Sequence, residues 1–365
     1  MSAAVYPIVL EPIFKPRIWG GRRLERLLNK RLPPELAIGE SWEVVDLEEE
    51  QSVVAAGAMK GKTLGELVQL WGDDLLGRAG LVEGRFPLLI KFLDANQALS
   101  VQVHPDEAMA RRLGGRVRVK HEAWYVIDAR PDAFIYRGLR EGVDAGALRR
   151  ALDEDRAESA LNRIPARKGH CFYLPSGTVH ALGGGAMVAE VQTPSDVTYR
   201  LHDWNRVDAQ TGRRRELHIE EALACVSYGS LPAEQPPQHA ASVWTSVTSL
   251  ARCESFVIER VRMVDGVEMD IPYAEMVIWI ILEGSGSIAC KGLSEALSFG
   301  VGDTVVIPAG LMNGRVATHA NSMWLEVSVP IVSSLRGFDR PDRRSLHENG
   351  GGYFSIQLPR EPSGP

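Results

Sequence analysis

The chain has 365 residues, 45% of them apolar and 24% charged, with a formal net charge of −6. This is an ordinary globular balance, with apolar material for one large or two average domains, and it excludes a mainly disordered chain. The negative charge gives no electrostatic reason to bind nucleic acid or an anionic membrane, and the one tight basic cluster, Arg213-Arg214-Arg215, reads as a solvated loop.

From the N-terminus, MSAAVYPIVLEPIFKPRIWGG carries no basic region followed by a long apolar stretch. No later segment reaches membrane-spanning length, so a cytoplasmic protein is expected. Most apolar runs that follow are short and bounded by Gly, Pro, Asp and Asn, which predicts a mainly β chain. Thr63 and Glu66 have the T-x-x-E spacing of a capping box and predict a helix over 63–76. Strands are predicted at 86–93 (FPLLIKFL), 99–103 (LSVQV) and 123–128 (AWYVID), then a helix over roughly 143–161 from alanines and leucines at helical spacing. Further strands fall at 171–174 (CFYL) and 187–191 (MVAEV), a helix near 218–226, and strands at 276–282 (MVIWIIL) and 304–307 (TVVI). The cysteines Cys171, Cys225, Cys253 and Cys290 form no CxxC pair, which points to reduced thiols rather than a disulfide framework or a cysteine zinc site.

The stretch 229–241 (GSLPAEQPPQHAA) has prolines and small polar residues but no apolar period. It divides the chain into a domain over 1–230 with a short helical insertion near 141–163, a linker over 231–241 and a second domain over 242–365. The tail from 334 is rich in Arg, Gly and Pro and is expected to wrap the surface. An internal repeat supports two copies of one β unit. Gly169, Pro175, Ser176, Gly177 and His180 are matched at the same spacing by Gly302, Pro308, Ala309, Gly310 and Asn313. Only the first copy has the histidine.

Three segments of the first unit offer metal donors. In LSVQVHPDE, Gln102 and His104 are two apart and share one face of an extended strand. Glu122 opens an apolar strand in KHEAWYVID, and His180 follows the turn in PSGTVH. Two imidazoles and a carboxylate suit zinc, with the Gln102 amide oxygen as a weaker fourth donor. His121 is the runner-up donor, turned away from Glu122 by strand alternation.

At these residues the sequence resembles the cupin superfamily, and more narrowly type I phosphomannose isomerases in their shorter bacterial form. The stretches carrying the resemblance are PIFKPRIWGG (12–21), IGESWEVVD (38–46), FPLLIKFLDANQALSVQVHPDE (86–107), KHEAWYVID (120–128), YLPSGTVHAL (173–182) and VQTPSDVTYRLHDWNR (191–206). The resemblance implies two cupin-like double-stranded β-helix (jelly-roll) barrels with a few short helices, the second lacking metal ligands. It implies one zinc ion per chain held by Gln102, His104, Glu122 and His180. The activity implied is aldose–ketose isomerisation between mannose 6-phosphate and fructose 6-phosphate through a cis-enediol, by a monomer or homodimer.

The family's active-site arginine maps onto Arg200 and its active-site lysine onto Lys120. Arg200 either stabilises the enediolate or clamps the phosphate. Lys120 is a candidate base if zinc and burial depress its pKa. Lys91, in an otherwise apolar strand, either contributes to a positive substrate pocket or is ion-paired. Asp196, Asp203, Glu40, Trp19 and Trp42 lie in matching segments with structural roles at least as well supported. The chain departs from the larger family members in its short insertion and in carrying His121 where proline is frequent. Two rival readings remain: a cupin oxygenase, because two His and a carboxylate also form an iron facial triad, and a non-catalytic sugar-binding two-cupin protein.

Overall fold

The predicted apolar runs are antiparallel strands, and most are buried on both faces. In the computed structural model residues 4–112, 118–207, 212–229, 231 and 236–331 are described. They fall almost wholly in one unit, Met1–Pro330. The tail from 334 and part of the 231–241 stretch lie outside the described residues.

A six-stranded sheet runs in the order Ile13–Gly21, Ile38–Val44, Leu89–Asp94, Ala186–Gln192, Glu122–Ala129, Cys171–Leu174. A five-stranded sheet runs Tyr199–His202, Val101–Val103, His180–Leu182, Phe134–Leu139, Leu161–Pro165. Trp19, Leu93, Trp124, Val126 and Val188 from the first meet Leu99, Ile135 and Leu182 beside the second in one buried cluster. These two sheets form the first barrel.

The second barrel repeats the plan. Its seven-stranded sheet contains Thr245–Arg252, Val257–Met263, Val277–Glu283, Thr304–Ile307 and Ser322–Ser328, with His239–Ala241 and Ile8–Val9 at its edges. Its four-stranded sheet joins Glu268–Asp270, Arg315–Thr318, Ser285–Ala289 and Leu297–Gly300. Trp279, Trp324, Val305, Ile288 and Phe299 fill the interior between them.

The outer faces of the two large sheets share a third cluster. Ile90, Phe92, Tyr125, Ala189 and Val191 lie in it with Ile258, Ile278, Ile280, Val306 and Leu325. A strand buried on both sides has no polar face to alternate with, which is why LLIKFL and MVIWIIL read as continuous apolar runs. Where a charge interrupts such a strand, as Lys91 and Glu190 do, the side chain shares the inner face with Leu93 and Val188.

The helices are short. The predicted 63–76 helix is two pieces, Leu64–Trp71 and Asp73–Leu76, and Thr63 and Glu66 form the full capping box. The break falls at Gly72, which has φ +46° and caps the first piece. The 143–161 segment is the helix Ala145–Asp153 followed by the 3₁₀ turn Ala157–Ala160, and 218–226 is Ile219–Cys225.

The repeat seen in the sequence is a repeat of structure. Leu174, just before Pro175, pairs with Glu122, and Ile307, just before Pro308, pairs with Val277. Val277 therefore stands where the first barrel has Glu122. Asn313 stands where it has His180.

Candidate metal and active site

Register and alternation bring the predicted donors together. His180 is the Cα partner of Gln102 on one side and Arg137 on the other, and Gln102 is in turn the partner of Arg200. Across the barrel interior Glu122 reaches both histidines. Its carboxylate lies 2.9 Å from His180 Nε2 and 3.4 Å from His104 Nε2. All three residues are buried, and their donor atoms lie within 4.8 Å of one another. Gly177 at φ +81° makes the turn before His180. Gly183 to Gly185 then carry the chain from His180–Leu182 across to Ala186–Gln192 in the other sheet.

The set fits a metal ion. His104 Nδ1–H donates to the Val197 carbonyl and His180 Nδ1–H to the Thr178 carbonyl, each at 2.8 Å. These bonds fix the tautomers that leave both Nε2 lone pairs directed at Glu122. His104 Nε2 and both Glu122 oxygens are buried without a well-formed hydrogen bond. Such acceptors are costly unless cations take them, and the Lys120 ammonium reaches one of the two Glu122 oxygens, at 2.8 Å. Donors about 2.0–2.2 Å from a tetrahedral zinc lie roughly 3.3 Å apart, close to the spacings seen here. The Gln102 amide is the fourth neighbour, with Nε2 3.2 Å from His180 Nε2.

The electrostatics agree. Burial, then the nearby Lys120 charge, pushes the His104 pKa down to about 3, so the imidazole is neutral and able to ligate. Burial opposes the Glu122 charge, but Lys120, His180 and His104 hold its pKa well below the usual carboxylate range. Lys120 Nζ lies 2.8 Å from Glu122 and 3.6 Å from Glu190. Burial works against the Lys120 charge, yet Glu122 and Glu190 outweigh it and raise its pKa. Among the chain's own groups, then, the shift runs opposite to the depression on which a base role for Lys120 was made conditional.

A cavity of about 510 Å³ opens beside this set, lined by Gln102, Lys120, Lys91, Trp124, Glu190 and Arg200 among others. Lys91 is buried, with Nζ 3.2 Å from Asp196 and 4.4 Å above the Trp42 ring. Arg200 donates through one guanidinium nitrogen to the Glu216 carbonyl at 2.7 Å and leaves Nε buried without a partner. His121 points away from the cluster, as alternation predicts, with Nδ1 near Tyr173 and Ser176.

Sequence reasoning missed three features of the pocket. Glu190 lines it with a pKa raised to about 8, by burial and then by Glu122. Its signal was the only charge in the run MVAEV. Arg17 lines the cavity while ion-paired to Glu40. Arg215, expected in a solvated loop, instead lines the cavity and pairs with Asp203, because that buried carboxylate draws the basic segment inward.

A double barrel with a buried His–Glu–His cluster at one end of a cationic cavity defines a metal-binding two-barrel cupin protein. Residues 8–129 match the family described as phosphomannose isomerase type I, catalytic domain. The chain is 35% identical over 315 residues to the mannose-6-phosphate isomerase ManA of Bacillus subtilis, covering 86% of this chain and 96% of that protein. It is also 35% identical to the mannose-6-phosphate isomerase of Streptococcus mutans, over 86% of this chain and 98% of that one. The crystal structure of a mannose 6-phosphate isomerase from Bacillus subtilis superposes with a TM-score of 0.80 at 30% identity, covering 89% of this chain and all of that one. The chain belongs to the type I phosphomannose isomerase family.

Proposed function

We propose that this chain interconverts mannose 6-phosphate and fructose 6-phosphate, using one zinc ion held by His104, Glu122 and His180. The observation carrying this reading is the buried cluster of orphaned donors opening onto a cavity lined by Arg17, Lys91, Lys120, Arg200 and Arg215 against three carboxylates. That balance suits a sugar phosphate. A half-turn of the Gln102 amide exchanges its nitrogen for Oε1 and makes it the fourth donor. A bound zinc ion supplies Lewis-acid stabilisation for the negative charge that develops on the sugar oxygens.

The chain's own residues do the rest. Arg200 presents its open Nε and planar fork to anionic substrate oxygens, and Lys91 adds charge to the same cavity. Lys120 Nζ is the group that takes a proton from C2 and returns it to C1. It can do so once Glu122 is committed to a cation and no longer supports the ammonium charge. Trp124 and the apolar inner face keep bulk water from the enediol.

The two barrels serve as the domains divided at 231–241. The strands in the second pair of sheets come from residues after that stretch, except Ile8–Val9 and His239–Ala241; the latter lies within 231–241, so the connecting segment ends before His239 rather than at 241. A cytoplasmic monomer or homodimer is in keeping with four free cysteines and, among the described residues, no helix long and apolar enough to cross a membrane.

The test is a coupled assay for fructose 6-phosphate from mannose 6-phosphate, with and without a chelator, alongside metal analysis. Chelator-sensitive turnover with one zinc per chain is expected. No turnover by zinc-loaded protein refutes the isomerase reading, and iron with oxygen-dependent turnover replaces it with an oxygenase.

A further inference from the structure

His121 lies between the pocket lysine Lys120 and the central carboxylate Glu122, yet its ring faces away from both. Its Nδ1 sits 3.3 Å from the Ser176 backbone N–H and 3.3 Å from the Tyr173 hydroxyl. A backbone N–H can only donate, so Nδ1 accepts and the ring proton is on Nε2. That Nε2 lies 3.3 Å from Glu254 Oε1, a polar contact between the ring and the carboxylate without hydrogen-bond alignment. Glu254 belongs to the turn between Thr245–Arg252 and Val257–Met263, closed by the Cys253 N–H to the Phe256 carbonyl at 2.9 Å. The same turn meets Tyr173 as well, with the Cys253 thiol near its hydroxyl and the Phe256 ring in a T-shaped contact at a centroid distance of 6.2 Å.

What His121 holds on the other side is the turn that sets the metal site. The Ser176 hydroxyl donates to the Lys120 carbonyl at 2.9 Å, and the Gly177 N–H donates to the His104 carbonyl at 2.9 Å. The next residue, Thr178, supplies the carbonyl that orients His180. One four-residue turn therefore touches the backbone of Lys120, the backbone of His104 and the ring of His180. The side chain bracing it is braced in turn by the second barrel.

We propose that the turn Cys253–Phe256 of the second barrel is a clamp on the metal site of the first, with His121 as the positioning residue that transmits it. The second barrel has no ligand set of its own among the described residues and serves the reaction by holding the first barrel's histidines and Lys120 in register. His121 touches neither substrate nor metal. It acts through Ser176 and Thr178.

The proposal rests on reading His104, Glu122 and His180 as metal ligands, and its test separates the two. His121→Leu, His121→Asn, Glu254→Ala and Glu254→Gln are prepared as zinc-loaded full-length chains. The rate of zinc release to a chelator is measured with kcat, KM and the thermal midpoint. Removing the support behind a metal ligand weakens metal binding by about ten-fold or more. His121→Leu is therefore expected to speed zinc release and lower kcat about ten-fold, with KM changed less than about two-fold. His121→Asn, which can keep an acceptor toward Ser176, restores both to within about three-fold, and Glu254→Gln does better than Glu254→Ala.

Unchanged zinc release and kcat in His121→Leu overturn the clamp, as does a loss that His121→Asn fails to rescue at equal thermal midpoint. If His121→Leu does not fold, the exposed Glu254 pair decides by the same readouts. A wild-type chain that binds no zinc overturns the ligand reading and the clamp with it. A wild type that binds zinc beside variants that hold it equally well overturns the clamp alone.

Discussion

The second barrel keeps a carboxylate where the first has Glu190. Glu190 pairs with Trp124 and Lys91, and Glu326 pairs with Trp279 and Glu259. Burial pushes the Glu326 pKa from 4.5 up to about 7; Glu259 adds to the rise, while the hydrogen bond from the Tyr273 hydroxyl opposes it. Its folded-state pKa is above the unfolded one, so below pH 4.5 the carboxyl is protonated in both states and contributes nothing to pH dependence. Between 4.5 and about 7 the unfolded chain ionises first, and stability falls as pH rises. A rise of about 2.5 units at 1.36 kcal/mol each amounts to about 3 kcal/mol, present in full above pH 7.

Glu326→Gln removes the ionisation while keeping an acceptor for Tyr273. Urea unfolding of both chains from pH 4.5 to 8 is the assay. The variant is expected to gain on the wild type by about 3 kcal/mol across that interval. The difference between the two chains cancels distant groups they share, including Glu190, and retains only Glu326 and its coupling to Glu259. A difference that stays flat with pH refutes the reasoning.

Two further predictions concern the first barrel. Arg200→Ala is expected to lower kcat/KM about 100-fold, or about 3 kcal/mol, and to weaken competitive inhibition by inorganic phosphate; Arg200→Lys does not restore either, because an ammonium lacks the planar fork. Gly177→Ala meets φ +81° and a Ser227 Oγ only 2.3 Å from the new Cβ. A loss of about 2 kcal/mol is expected, read as a lowered thermal midpoint.

Much of this site was readable because its donors obey short-range rules. Gln102 and His104 share a face by strand period, and the Pro175–Gly177 turn announces His180. The capping box at Thr63 and Glu66 needs only three residues of separation. What was not readable depends on distant partners. Nothing near Lys120 says that Glu190 lies on the strand paired with Glu122–Ala129, and nothing near Arg215 says that Asp203 will draw it to the cavity. The sequence makes Lys120 a base on condition that zinc and burial lower its pKa; among the chain's own groups Glu122, two residues on, and Glu190, from a strand far along the sequence, raise it, and only the first of these was in view. His121 was weighed only as a ligand, and its contact with Glu254 joins residues 133 apart in sequence.

The strand Ile8–Val9 is held on one side by the Ala55 N–H, which donates to the Val9 carbonyl, but its strand partner is Thr304–Ile307. Its Ile8 waits for Val306, a separation of 298 residues. At about 5–20 residues per second a ribosome needs roughly 15–60 s to supply that partner. Through most of synthesis the seven-stranded sheet has no partner for this edge, and the outer face of the first barrel lies open to solvent. A nascent chain stalled between the barrels would present both a strand with one open edge and a wide apolar wall. Chaperone demand should therefore concentrate in that interval rather than after release.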